Sequence, residues 1–552
     1  MNRVTTILLL ILVISNGLFA QTDSTSNQGE IVSGEVIIEK NKEITLPKAD
    51  KFYQHGKLKT FDSEPIKVDL TSFEPNLQWP PYKSNVPFEK VNTEYPQDEY
   101  PNYVRLGYGN YGSPLAEVGI FETVGSFDLK NKLFYESFSK GPVNEKNSAN
   151  GFGMLDLSGT YSTENLEITP YIGYSHRSYR FYGNTNRSGS GFTSEELPMV
   201  SWSNFSIGTH LAGKTETIKY SFKPEFNSTS QKPEDVDPLN KENVIGATGS
   251  FDFIIDDQFS TGFNLEGYSS NYEGGLSYDR SLLLANPWLE YKNENFLIKA
   301  GIQIASGKTD QEDKSGIYPD LRGELFLDNS WKVIAHVSGG IDWRDVNQLL
   351  SENEFLDDSL QILNQINKIS FGGGLKGNLL SNLVLDVDLT FSDIENLPFY
   401  VPSSTDSSRY TITFDSESIQ RLRLKSQLTY SPTNASLYGA SLEINSYSTS
   451  LDRPWHLPTF IFKAYTSHNI KQKVIISGSL LTMGGIRAPT SDNFGIEELK
   501  AFLDIGFKAN YLINDRASIF IDTQNLLNNE YERYLGYPVR GATFKIGGQY
   551  RF

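Results

Sequence analysis

Cysteine is absent from all 552 residues. That excludes disulfides, thiol redox chemistry, cysteine-ligated metals and a lipid anchor on cysteine. Cations are outnumbered: 49 Lys and Arg stand against 67 Asp and Glu, a formal net charge of -18. The clustered positive charge that neutralises phosphates is missing, so nucleic acid is not an expected partner. Histidine is scarce, and His55, His176, His210, His336, His456 and His468 lack the spacing of a metal site. Long apolar runs are scarce too. After residue 20 no stretch approaches the ~18 consecutive apolar residues of a membrane helix, which excludes a helical inner-membrane protein. No nucleophile, base and oxyanion-donor set stands out, so no catalytic residue, cofactor or enzymatic activity is expected. The acidic stretches "KPEDVDPLNKEN" and "TDQEDKSG" do not follow the positions of a calcium loop and read as solvated outer loops.

Aromatic residues and glycine are plentiful. Aromatics reach 13%, with 30 Tyr, 34 Phe and 45 Gly, a profile of strands and turns rather than helices. The opening "MNRVTTILLLILVISNGLFA" carries Arg3, an apolar core from Ile7 to Ile14, and then Gly17 and Ala20. This is the pattern of a cleavable export signal, residues 1–20. Residues 21–101 form an extended arm punctuated by Pro47, Pro65, Pro75, Pro80, Pro81, Pro87, Pro96 and Pro101, a density that forbids regular helix or sheet interior. Within it "LQWPPY" offers the aromatic anchors Trp79 and Tyr82. The arm is either a strap on the protein's own surface or lumen, or a docking peptide for a partner.

From residue 102 the pattern becomes strand, turn, strand. "NLVLDVDLTF" sets Leu383, Leu385, Val387, Leu389 and Phe391 on one face and Asp386 and Asp388 on the other. "RLRLKSQLTY" opposes Leu422, Leu424, Leu428 and Tyr430 to Arg421, Arg423, Lys425 and Gln427. "LKAFLDIGFKANY" opposes Leu503, Ile505 and Phe507 to Lys500, Asp504 and Lys508. The final "GATFKIGGQYRF" places Phe544, Ile546, Tyr550 and Phe552 against Lys545, Gln549 and Arg551. Connections are short on one side ("STEN", "SPTN", "IND") and longer on the other ("NTNRSGSGFTSEELP" and "KTDQEDKSGIYPD"). A strand-built membrane span must close to satisfy its backbone, and this asymmetry of connections is that of a transmembrane barrel. The expected fold is all-β: a large antiparallel barrel of about 20 to 22 strands over residues 102–552. A soluble propeller would show a repeat of ~40 to 50 residues, and none is found.

In that barrel Asp386, Asp388, Arg421, Arg423, Lys425, Lys500, Asp504, Lys508, Lys545 and Arg551 are expected to face the lumen. They serve there either as cross-strand ion pairs or as a selectivity surface for a polar solute. Tyr550 and Phe552 are expected in an interfacial aromatic girdle. "VNQLLSENEFLDDSLQILNQIN", 346–367, spaces Leu349, Leu350, Leu356, Leu360 and Leu363 for a helix in an outer loop, a contact surface for another protein.

"DTQNLLNNEYERYLGYPVRGATFKIGGQYRF", residues 522–552, resembles the C-terminal signature of TonB-dependent receptors, and "NYVRLGYGNYGSP", residues 102–114, resembles their first barrel strand and hairpin. The resemblance implies an outer-membrane location in a Gram-negative cell, contact with membrane lipid, and Phe552 as part of an insertion signal. Such receptors carry a globular plug of more than a hundred residues before the barrel. Residues 21–101 are shorter and Pro-rich, so a plug is not expected here. "GEVIIEK", residues 34–40, reads either as a degenerate TonB box or as a short strand. A scaffold or binding role beside other outer-membrane or periplasmic proteins, or a surface lipoprotein, is expected. The alternative is a passive or partner-gated channel for a polar solute.

Overall fold

The computed structural model describes residues 102–143, 145–183, 197–234, 237–309, 313–327, 330–490 and 495–552. The export signal, the arm with Trp79 and Tyr82, and the "GEVIIEK" stretch lie outside the described residues.

Twenty-two antiparallel strands form one closed sheet. Each strand pairs with its sequence neighbour, and the first, Tyr103–Gly109, pairs with the last, Thr543–Arg551, from Tyr103↔Arg551 to Gly109↔Lys545. Closure leaves no edge whose N–H and C=O groups would face hydrocarbon. Both ends of the seam are stapled. At one end the Phe552 N–H donates to Asn102 O at 3.0 Å. At the other the Asn110 side chain accepts from Phe544 N at 3.0 Å and donates to Ala542 O at 2.8 Å.

The alternation read from sequence is realised in exposure. Leu283 (61% exposed), Ile317 (71%), Leu389 (48%), Leu422 (46%) and Ile546 (63%) line the outer face. Their strand neighbours Arg280, Leu282 and Leu284 are buried on the inner one. Short turns such as 163–165, 293–295 and 513–516 gather at one rim, where the exposed rings of Phe127, Tyr161, Phe259, Tyr438, Tyr511, Tyr550 and Phe552 also collect. An aromatic belt at this level suits a membrane interface, where a ring can be half apolar and half wet.

The connections differ from expectation in two places. "KTDQEDKSGIYPD" is mostly strand: Phe296–Thr309 and Asp313–Phe326 extend through it and leave 310–312 as the connection. Pairing from Ser306↔Ser315 to Lys308↔Asp313 satisfies the backbone there, which overrides the polar, loop-like composition. "SPTN" is likewise strand up to Thr433.

The first and last strands meet through facing glycines, Gly107↔Gly547, over which the buried Phe520 ring lies with the Arg105 guanidinium 3.9 Å above it. A Cβ on Gly547 would collide with the Leu106 carbonyl and the Phe520 ring. Gly547→Val is therefore expected to weaken closure itself. Loss of the compact, heat-modifiable band in unboiled SDS electrophoresis is the readout, and an unchanged band would contradict this account of the seam.

Candidate functional site: a loop cap across the barrel mouth

Five connections at the rim opposite the short turns, residues 343–364, 396–418, 449–459, 485–501 and 525–542, are long enough to fold on one another. Proline and aromatics make them stiff and sticky: Pro398, Pro402, Pro454, Pro458, Pro489 and Pro538 alternate with Tyr400, Tyr410, Trp455, Tyr534 and Tyr537. Side chains of three of them, 343–364, 396–418 and 525–542, build a hydrophobic core of their own. Leu349, Leu350, Phe355, Leu356 and Leu360 pack with Tyr400, Tyr410, Tyr534 and Tyr537, and against Tyr179, Trp202 and Tyr272 of the wall. The strand Leu166–Tyr179 stands eleven places from Ile419–Thr433 in the 22-membered ring, half the circumference. A core joining Tyr179 to Tyr410 therefore crosses the mouth.

The 343–364 connection is the beam of this cap. Asp345 caps the helix Val346–Glu352 by accepting from Gln348 N at 2.8 Å. Beyond Glu352 the chain turns irregular, and wall side chains satisfy its backbone. Tyr179 Oη donates to Glu354 O at 2.6 Å, and Gln231 Nε2 to Glu354 O and Leu356 O at 3.1 and 3.2 Å. Asn240 Nδ2 donates to Asp357 O at 2.8 Å, and Tyr278 Oη to Leu360 O at 3.0 Å. The Val346 N–H donates to Glu242, itself paired with the fully buried Arg280 at 2.5 Å. The helix expected over 346–367 thus covers only its first seven residues. Leu349, Leu350, Leu356 and Leu360 are also buried in the protein's own cap rather than offered to a partner. Backbone groups captured by the wall have no need of helical bonds.

The remaining loops lock onto the beam. Asp357 accepts from Ser403 and Thr405 hydroxyls at 2.5 and 3.2 Å and pairs with Arg409 at 3.3 Å. Tyr410 Oη donates to Leu535 O and Tyr534 Oη to Glu352 O, both at 2.6 Å, while the Phe355 and Tyr537 rings stack with centroids 3.5 Å apart. His456, fully buried, pins three neighbours: its Nδ1–H donates to Tyr400 O at 2.7 Å, its N–H donates to Arg487 O, and its Nε2 faces the Leu535 N–H. In Asp415 burial is outweighed by hydrogen bonds from Ser450, Thr449 and nearby N–H groups, which hold the carboxyl at about 2. Between Glu352, Glu354, Phe355, Tyr531, Arg533, Tyr534 and Arg540 a cavity of about 80 Å³ remains. That is room for a few waters, well short of the ~300 Å³ of an ordinary ligand pocket.

Below the cap the wall carries the charges picked out in sequence. Asp386 pairs with Lys376 at 2.9 Å, Asp388 lies 3.7 Å from His336, and Lys508 pairs with Asp522 at 3.2 Å. Lys545, buried, pairs with Glu136 at 2.9 Å, and Asp504 accepts from Tyr531 Oη and Asn525 N at 2.9 Å. Arg551 ends the last strand. Lys500 lies elsewhere: it is exposed and precedes the strand Phe502–Leu512, because Leu499 is buried in the cap and bonds Ile486 O. Arg421, Arg423 and Lys425 alternate down the strand Ile419–Thr433 without a salt bridge among the described residues. The cap residues Tyr179, Gln231, Asn240, Glu354 and His456 carry no sequence signal of their role; the proline and aromatic density of the outer loops is the nearest trace.

No family model and no curated protein matches the chain. Solved structures do. The FrpB iron transporter from Neisseria meningitidis (F3-3 variant) superposes with a TM-score of 0.65 at 10% identity, over 82% of this chain and 81% of that one. The ferric-catecholate import receptor Fiu from K12 E. coli gives 0.62 at 10%, over 83% and 82%. The copper transporter OprC gives 0.61 at 13%, over 82% and 81%. The fold shared with these proteins is the closed antiparallel barrel. At these identities the likeness extends to the fold.

Two buried cap groups titrate in opposite senses. Burial pushes the Glu354 carboxyl up to about 7, against Arg177 and Arg540. Burial, then the Arg533 charge, holds His456 down at about 3 although its bond to Tyr400 opposes this. A carboxyl raised from 4.5 contributes fully below 4.5 and loses that contribution as pH rises to about 7. A histidine lowered from 6.5 contributes fully above 6.5 and loses it on acidification. Glu354→Gln should therefore flatten the loss of cap stability between pH 4.5 and 7, by on the order of 3 kcal/mol. Hydrogen exchange of 343–364, corrected for intrinsic rates, reads this; an unchanged pH slope would contradict it.

Proposed function

We propose that the chain is an exported outer-membrane barrel that serves as a scaffold or binding subunit of a larger outer-membrane assembly, not as a free pore. One observation carries the reading: three outer loops, residues 343–364, 396–418 and 525–542, share a hydrophobic core that spans the mouth and is fastened to the far wall. A pore has no use for such a closure, whereas a platform gains from rigid outer loops. The chain enters the barrel at the short-turn rim, beside Phe552, so residues 21–101 would emerge on the periplasmic side and be free to grip a partner there. Cleavage of residues 1–20 belongs to this reading, as does contact with periplasmic proteins or a surface lipoprotein.

A second reading is partner-gated uptake of a polar solute. Its support is the shared fold with proteins described as iron and copper transporters and the charged inner wall. The two readings part in planar bilayers. The intact purified protein should be silent, and replacing residues 346–362 by a short Gly-Ser linker should open large, steady channels. Steady channels from the intact protein would overturn the scaffold reading. Affinity purification from native membranes then distinguishes the classes further: a stoichiometric partner set lost on deletion of residues 21–101 is expected of a scaffold.

A further inference from the structure

Asp386, Lys508 and Lys545 on the inner wall each have a partner of opposite sign, which makes the exception informative. The strand Ile419–Thr433 hangs from the cap by Ile419, buried with Ile394, Phe399 and Trp455. Directly below, on the same face, come Arg421 and Arg423. Their cross-strand neighbours are Ser392 and Thr390 on one side and Tyr447 and Asn445 on the other, none of them acidic. Arg533 reaches the same spot from the 525–542 loop, donating to His456 O at 2.6 Å, so that Tyr447 feels Arg421, Arg423 and Arg533 together. In all three arginines the Nε atom is buried and has no hydrogen-bond partner. Glu443 is the one carboxylate acting on Tyr447 with them, and it is engaged by Asn445 Nδ2 at 2.8 Å. Lys425 continues the strip downward opposite Asp388, which is held by Thr390 and faces His336.

We propose that Arg421, Arg423 and Arg533, gathered around Tyr447 beneath the cap, form a binding site for a multiply charged oxyanion. Three guanidinium groups against one carboxylate leave an excess of two positive charges. Buried cations of like sign are tolerated when an opposite charge is brought in. Guanidinium is the group whose planar fork matches carboxylate or phosphate oxygens two at a time, and buried unpartnered Nε–H groups are donors awaiting such oxygens. Two arginines at i and i+2 on one strand face are about 7 Å apart, the span of a ligand with two anionic groups rather than of a single chloride. The phenol of Tyr447 adds a neutral donor. The site stands whether the barrel is a scaffold or a carrier, since it concerns one wall and one loop.

The test is calorimetric titration of the full detergent-solubilised chain with inorganic pyrophosphate and with citrate, against sodium chloride of matched ionic strength. Saturable one-to-one binding of at least one anion is expected, and which of them binds distinguishes phosphate from carboxylate recognition. The pair Arg421→Gln, Arg423→Gln should weaken it at least tenfold, Arg533→Gln alone should weaken it measurably, and Lys376→Gln, on another strand, should leave it unchanged. Arg423→Lys, which keeps the charge and loses the fork, should retain part of the affinity and guards against a folding defect, with native electrophoretic mobility as a check. Heat that follows ionic strength alone, or equal binding by wild type and the double variant, would overturn the site.

Discussion

Every backbone N–H and C=O in a membrane-embedded strand must find a partner within the protein, because hydrocarbon supplies none. The pairing of Tyr103–Gly109 with Thr543–Arg551 is where this chain meets that demand. Residues more than four hundred positions apart must come into register, held by Asn102 and Phe552 at one end and by Asn110, Ala542 and Phe544 at the other. Strand alternation, the outer leucines and the aromatic rim are all consequences of this closure, since only a closed sheet has a defined inside. The paired glycines at Gly107 and Gly547, with Phe520 laid over them, show how close the seam strands must approach.

Closure on 22 strands creates a second demand. A ring of that size encloses a wide lumen, and the wall cannot fill it with side chains of its own. At the outer rim the chain answers with loops rather than with larger residues. An irregular loop crossing a lumen carries the same burden as a strand in lipid, because each buried peptide group needs a partner. The wall side chains Tyr179, Gln231, Asn240, Tyr272 and Tyr278 supply those partners to Glu354, Leu356, Asp357, Asp358 and Leu360. The cap is therefore built on polar wall residues as much as on its own leucines and tyrosines.

The difference between what alternation reveals and what it hides follows from range. Leu385, Val387 and Leu389 against Asp386 and Asp388 is a period-two pattern written in one short segment, and the strand Leu383–Glu395 follows it. Phe544 and Ile546, 58% and 63% exposed, could be placed outward for the same reason. The cap has no such local pattern. Tyr179 meets Glu354 across 175 residues, and Tyr410 meets Leu535 across 125, contacts that exist only after barrel closure has brought distant parts of the outer rim together. The 346–367 stretch misleads for the same cause: its leucine spacing suits a helix, but wall donors capture its backbone after Glu352. Lys500 fails by two residues, since Leu499 is drawn into the cap before the strand begins at Phe502.

Cap and wall charge are linked through the loop that carries Tyr531, Arg533 and Tyr534. Tyr531 Oη donates to Asp504 on the wall, Tyr534 Oη donates to the beam at Glu352 O, and between them Arg533 projects toward the strip headed by Arg421. One short segment thus holds the outer closure to the inner wall and adds a positive charge where the wall already has two. Tyr447 takes the field of Arg533 together with that of Arg421 and Arg423, so the loop adds positive charge to the strip, an arrangement unfavourable for stability taken by itself. His456 lies in the same grip, its carbonyl accepting from Arg533 while its ring stays neutral against that charge. A cluster kept at such a disadvantage, at the point where cap and wall join, couples the state of the closure to whatever anion the arginines hold. Movement of the loop cannot leave the arginines unchanged, and filling the arginines cannot leave the loop unchanged.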